Sequence, residues 1–189
     1  MIIMKNNLIL ETAHQLLSFH INQDDILVDA TMGNGNDTVF LAQKSKFVYA
    51  FDIQIQALEE TKKALHQSAI SNVQLILDSH EHIINYVTDF KGVLFNLGYL
   101  PKGDKSITTT SDTTIKTIKS LIPYLKVQGF IMLVIYTGHN AGMDESIAIE
   151  DYMHSLNQTL YKILKIDLPY QDNKPPYILF LQKVKDESI

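Results

Sequence analysis

The sequence predicts an α/β domain whose mainly parallel sheet is covered by helices on both faces. Apolar runs rich in β-branched and aromatic residues recur along the chain, amphipathic helix-length stretches lie between them, and a glycine-bearing loop joins the first run to the next helix. All 189 residues are expected to form one domain, with an N-terminal helical segment over 1–22.

In chain order, 7–20 (NLILETAHQLLSFH) has the apolar spacing of an amphipathic helix. Strands are expected at 26–31 (ILVDAT), 47–53 (FVYAFDI), 73–77 (VQLIL), 92–97 (GVLFNL) and 130–136 (FIMLVIY). Helical stretches at 37–44, 55–69, 81–88, 112–126 and 144–158 separate or follow them, the alternation of βαβ units. The pattern then changes: 161–168 (YKILKIDL) and 177–184 (YILFLQKV) are both strand-like, with only a short loop containing Pro175-Pro176 between them. That predicts a closing C-terminal hairpin with one antiparallel strand, making seven strands in all.

Composition removes several classes of function. The absence of cysteine excludes disulfides, thiolate metal sites and a cysteine nucleophile. No apolar stretch approaches membrane-spanning length, so a cytoplasmic protein without a membrane partner is expected. A formal charge of -5 argues against coating nucleic acid by bulk electrostatics. A local patch is still open, because Lys102, Lys105, Lys116, Lys119 and Lys126 fall in one stretch, although a solvated helix face is the favoured reading.

Val28-Asp29-Ala30-Thr31 runs through Met32-Gly33-Asn34-Gly35-Asn36-Asp37-Thr38 into a helical pattern. Glycines allow a sharp turn and close approach to a ligand, although a structural turn uses them too. The third glycine of a dinucleotide fingerprint is replaced by Thr38, which favours a ligand without a pyrophosphate. Asp52, followed by Gln54, stands seventeen positions after Gly35, close to the interval of about twenty at which an acidic residue meets ribose hydroxyls. The third strand ends in Asp78-Ser79-His80, able to receive an adenine edge. Ligands of open α/β sheets sit beyond the carboxyl ends of strands, so these polar ends are read as one site. His80 and His82 lack a third ligand at suitable spacing, and no metal is expected.

Asn96-Leu97-Gly98-Tyr99-Leu100-Pro101 resembles the Asn/Asp-Pro-Pro-Tyr/Phe motif of amino methyltransferases, with Leu97-Gly98 in place of Pro-Pro. There the Asn oxygen accepts from an attacking amine and Tyr99 stacks on a base or covers the methyl group, against the plain alternative of a strand-end turn. An open sheet closed by a hairpin also resembles the Rossmann-like architecture of S-adenosylmethionine (SAM) dependent methyltransferases. Lys102, Asp104, Lys105 and the threonines around Thr109 offer phosphate or ribose contacts, or a helix cap. His139, in Tyr136-Thr137-Gly138-His139, is either a proton acceptor or a structural loop histidine.

Together, DATMGNGNDT, FDIQ, DSHEHI, NLGYLPKGDK, YTGHNAG and NKPP resemble, in order and over most of the chain, the family carrying an rRNA methylase label. Its members are identified as tRNA 5-aminomethyl-2-thiouridine methyltransferases. The resemblance implies SAM as cofactor, the anticodon stem-loop of tRNA as partner, N-methylation of a wobble uridine, and a homodimer. It assigns Asp29, Gly33, Asn34, Gly35, Asp37, Thr38, Asp52, Gln54, Asp78, Ser79, His80 and Asn96 to the cofactor. On the acceptor side it matches Asn96, Tyr99, Asp104, Lys105, Tyr136 and His139. Asn96, Tyr99 and His139 are expected in catalysis, and with Lys102 and Thr109 added from their own chemistry, Lys102, Asp104, Lys105, Thr109, Tyr136 and His139 are expected at the substrate. Lys102 stands where many members carry glycine. Competing readings are N-methylation of rRNA or of a small amine, a nicotinamide oxidoreductase, and a noncatalytic binding module.

Overall fold

A computed structural model describes residues 7–97, 111–137, 140–172 and 174–187. The strands are β1 (Ile26–Asp29), β2 (Phe47–Asp52), β3 (Val73–Leu77), β4 (Gly92–Leu97), β5 (Phe130–Ile135), β6 (Tyr161–Ile166) and β7 (Tyr177–Lys183). The helices are α1 (Leu8–His20), α2 (Asn36–Lys44), α3 (Ile55–Gln67), α4 (Ser111–Leu121) and α5 (Asn140–Ser155). One seven-stranded sheet has the order β3-β2-β1-β4-β5-β7-β6. β1 to β5 pair in parallel, and β7 runs antiparallel to both of its neighbours. The expected α/β architecture with its closing hairpin is present.

Strands covered on both faces read as continuous apolar runs, and β5 is buried at all six positions. Alternation sorts its side chains into two layers. Ile131, Leu133 and Ile135 pack with Ile118 and Leu121 of α4 and with Ile149 and Met153 of α5. Phe130, Met132 and Val134 face the opposite layer, which holds Ile9, Ala13 and Leu17 of α1 and Leu41 and Ala42 of α2. α1 is therefore part of the core and lies on the same side of the sheet as α2.

Gly92, paired in register with Phe130, makes room for that ring: a β-carbon there would lie 2.3 Å from it. The ring in turn stacks on Phe180 of β7, with centroids 5.5 Å apart.

One expected helix differs in kind. The segment read as helical over 81–88 is a 3-10 helix over His80–Asn85. The Asp78 carboxylate gathers the Ser79 N–H, the His82 ring and the Tyr86 hydroxyl, and holds the segment in this tighter coil. Among the described residues no helix is long and apolar enough to cross a membrane.

Candidate active site

β1 and β4 are neighbours, and the chain leaves them toward opposite ends of the sheet, which opens a crevice at their carboxyl ends. The loop after β1 lies there. It turns through Gly33 (φ 51°) and Gly35 (φ 81°), a region that disfavours side chains, and the Gly35 N–H donates to the Met32 carbonyl at 2.8 Å. Thr61 of α3 braces it, its hydroxyl donating to the Gly33 carbonyl at 3.1 Å. Asn34 is exposed in the same loop.

Asp52 closes one side. Its Oδ2 accepts the Gly33 N–H at 3.1 Å and its Oδ1 the Gln54 N–H at 2.9 Å. Burial raises its carboxyl above the usual range, partly opposed by these N–H groups. A carboxylate has about four acceptor sites, so a hydroxyl-rich ligand still finds lone pairs here. Gln54 takes part through its backbone, as the residue preceding α3.

At the end of β3, the three donors on Asp78 hold it below the usual carboxylate range, the His82 bond contributing most. Ser79 caps the 3-10 helix by accepting the Glu81 N–H. His80 is buried against Phe95, with ring centroids 5.7 Å apart, and burial lowers its pKa. Among the described residues its Nε2 has no hydrogen-bond partner. A buried, unsatisfied ring nitrogen beside the expected adenine position is a group that a ligand would satisfy.

Two residues expected at the cofactor are bonded to each other. Asp29 and Thr38 are fully buried, and the Thr38 hydroxyl donates to Asp29 Oδ2 at 2.6 Å while the Thr31 N–H donates to Oδ1. They fasten β1 to α2 beneath the loop. Burial, and then the charges of Asp37 and Asp52, push the Asp29 carboxyl up to about 7.

Asp37, in the first turn of α2, joins three elements. Its Oδ1 accepts from His14 Nε2 at 2.7 Å and its Oδ2 from Asn96 Nδ2 at 2.8 Å. The Asn96 backbone N–H donates to Thr31 Oγ1 at 2.7 Å, which ties the end of β4 to β1. Tyr136, at the end of β5, is half-buried, and burial together with the Asp37 charge raises its phenol. Tyr99, Lys102, Asp104, Lys105, Thr109 and His139 lie outside the described residues. The basic stretch is partly neutralised: Lys116 pairs with Glu81 at 2.8 Å, Lys126 pairs with Asp89, and Lys119 lies over the Tyr152 ring.

The sequence pattern does not mark His14, Thr31 or Thr61 as site residues. An imidazole on a helix otherwise apolar at Ile9, Ala13 and Leu17 is the one local signal His14 gives.

A sheet of this order, with a glycine loop after β1 and polar strand ends around it, defines a SAM-dependent methyltransferase. Residues 48–182 match the family described as "Putative rRNA methylase", and the chain belongs to that family. It is 35% identical over 190 residues to an Arabidopsis thaliana protein named "tRNA (mnm(5)s(2)U34)-methyltransferase, chloroplastic", a match covering 92% of this chain and 68% of the relative. A Streptococcus mutans structure, described as "a putative methyltransferase" in complex with SAH, is 40% identical with a TM-score of 0.87, covering 93% and 98% of the two chains. A Clostridium thermocellum structure, named as a "putative rRNA-methylase", is 36% identical with a TM-score of 0.88, covering 93% and 97%.

The residues present fit SAM. Asp52 offers hydroxyl acceptors, His80 an unsatisfied nitrogen, and Asp37 and Asp52 negative charge suited to a ligand that carries sulfonium and ammonium groups.

Proposed function

We propose that this enzyme methylates the exocyclic aminomethyl nitrogen of 5-aminomethyl-2-thiouridine at the tRNA wobble position, with the anticodon stem-loop as its binding partner. The observation that carries the reading is the orientation of Asn96. A carboxylate only accepts hydrogen bonds, so the Asn96 amide turns its nitrogen to Asp37 and leaves Oδ1 as an acceptor at the end of β4. An acceptor there suits an amine, whose N–H it takes while the nitrogen lone pair points at the reacting carbon. The wobble-uridine name of the Arabidopsis relative supports the same acceptor.

Bound SAM supplies a sulfonium methyl group already activated toward an amine. The protein's task is then positioning: Asp52 and the glycine loop hold the cofactor side, Asn96 holds the amine, and the half-buried Tyr136 limits water beside Asp37. No covalent enzyme intermediate is required.

The test is incubation with SAM and tRNA carrying 5-aminomethyl-2-thiouridine, followed by nucleoside digestion and mass spectrometry. A one-methyl gain on the wobble nucleoside, lost in Asn96→Ala, is expected. No gain in a protein that binds SAM, with methylation instead of rRNA or of a small amine, overturns the assignment.

A further inference from the structure

We infer that His14, on the N-terminal helix, is a positioning residue for the methyl transfer, acting on Asn96 through Asp37. The inference rests on the reading of Asn96 given above and extends the site to an element outside the stretch that matches the family, residues 48–182.

His14 is fixed by two contacts that come from one helix. Its ring stacks on Phe40 with centroids 3.9 Å apart and planes 2° apart, and its Nε2 donates to Asp37 Oδ1 at 2.7 Å. Asp37 and Phe40 are three residues apart on α2, so they present neighbouring positions on one helix face, and the imidazole sits against both. The His14 and Asp37 side chains are only 19% and 12% exposed, which limits competition from water.

The consequence lies in the geometry of the carboxylate. With Oδ1 taken by His14, the Asp37 carboxylate is held in a fixed plane with Oδ2 toward β4, where Asn96 Nδ2 donates to it at 2.8 Å. Because Asp37 has no donor, this bond fixes which end of the amide faces it. Without His14, the carboxylate is held from the β4 side alone, and the plane it imposes on the amide is less firmly set. The acceptor oxygen is then less well aimed, an error that alignment-dependent reactions register in rate. The core packing of α1 runs through Ile9, Ala13 and Leu17, so the polar contact of His14 is separate from what holds the helix in place.

Three variants separate this role from a structural one. His14→Phe keeps a ring against Phe40 but cannot donate to Asp37, His14→Gln restores an N–H donor, and His14→Leu provides an apolar control if the ring of Phe does not fit. His14→Phe is expected to lower kcat on aminomethyl-bearing tRNA by about 10–100-fold, leaving KM for tRNA and SAM affinity within about threefold, with substantial recovery in His14→Gln. Nitrogen-15 spectra of the cofactor-free protein are expected to show the Asn96 side-chain amide shifted in His14→Phe and returned toward its original position in His14→Gln. Wild-type kcat in a folded His14→Phe or His14→Leu protein overturns the inference, as does an unmoved Asn96 amide. If instead Asn96→Ala keeps full turnover, the assigned role of Asn96 fails, and the positioning role of His14 fails with it; the amide spectrum then reports only whether the contact exists.

Discussion

Thr61 donates to the Gly33 carbonyl at 3.1 Å, while its Cα stands 2.9 Å from where a β-carbon on Gly35 would project. One residue of α3 thus both braces the loop and forbids a side chain on it. Gly35→Ala meets this backbone contact and an unfavourable φ of 81° together, so the loop must move. Calorimetric titration is expected to show SAM affinity reduced by about tenfold or more, since even a small shift of the loop disturbs the Gly33 N–H bond to Asp52.

Asp52 and Asn96 divide the site between cofactor and acceptor. Asp52→Ala removes the group that accepts from Gly33 and Gln54, and is expected to weaken SAM binding by about 10–100-fold, the range for hydrogen bonds to a charged group. Asn96→Ala is expected to lower kcat with a much smaller change in SAM affinity. Equal losses of both quantities in both variants would contradict this division.

The buried Asp29 predicts an unusual pH response. Its carboxyl is pushed up to about 7, chiefly by burial, against an ordinary value of 3.8. Between those values the native state holds a proton that the unfolded chain releases, so this group's contribution to stability is full below about pH 4 and is lost as pH rises toward 7. Asp29→Asn keeps an acceptor for the Thr31 N–H and an amide that donates to Thr38 Oγ1, but cannot ionise. Urea unfolding of the cofactor-free proteins is expected to show the variant gaining on the wild type as pH rises from 4 to 7, by at most ~1.4 kcal/mol per pH unit. Parallel pH profiles would show that Asp29 titrates normally.

Gly92 tests the sheet itself. Gly92→Ala places a methyl group into the Phe130 ring, which is already packed on Phe180, so overpacking of about 1–3 kcal/mol is expected. The urea midpoint should fall with an unchanged slope. SAM affinity should be little affected, because Gly92 begins β4 while the site lies at its other end.

Much of this molecule is legible locally. Buried strands such as β5 announce themselves as unbroken apolar runs, and the glycine loop declares a left-handed turn by composition. The coil at 80–85 does not, because its tightness comes from three donors meeting on Asp78, a tertiary arrangement that helical periodicity does not encode. The burial of Asp29 and Thr38 was hidden for a related reason: a motif position specifies proximity to a ligand but not which way the side chain turns. His14 and Asp37 are 23 residues apart, so their bond became visible only when α1 and α2 were placed on one face of the sheet.

The strand order also imposes a sequence of events on synthesis. Within the described sheet, β6 pairs only with β7, although β7 follows it in the chain and lies between it and β5. A nascent chain can therefore assemble β1 to β5 and their helices while β6 waits without a neighbour, its backbone donors and acceptors turned to water. Only when 177–183 leave the ribosome can β7 insert between β5 and β6 and complete the sheet. Until that moment the edge of β5, apolar throughout, is an open template for other chains, and a pause in translation before 177–183 are made prolongs the interval in which the protein is most prone to aggregate.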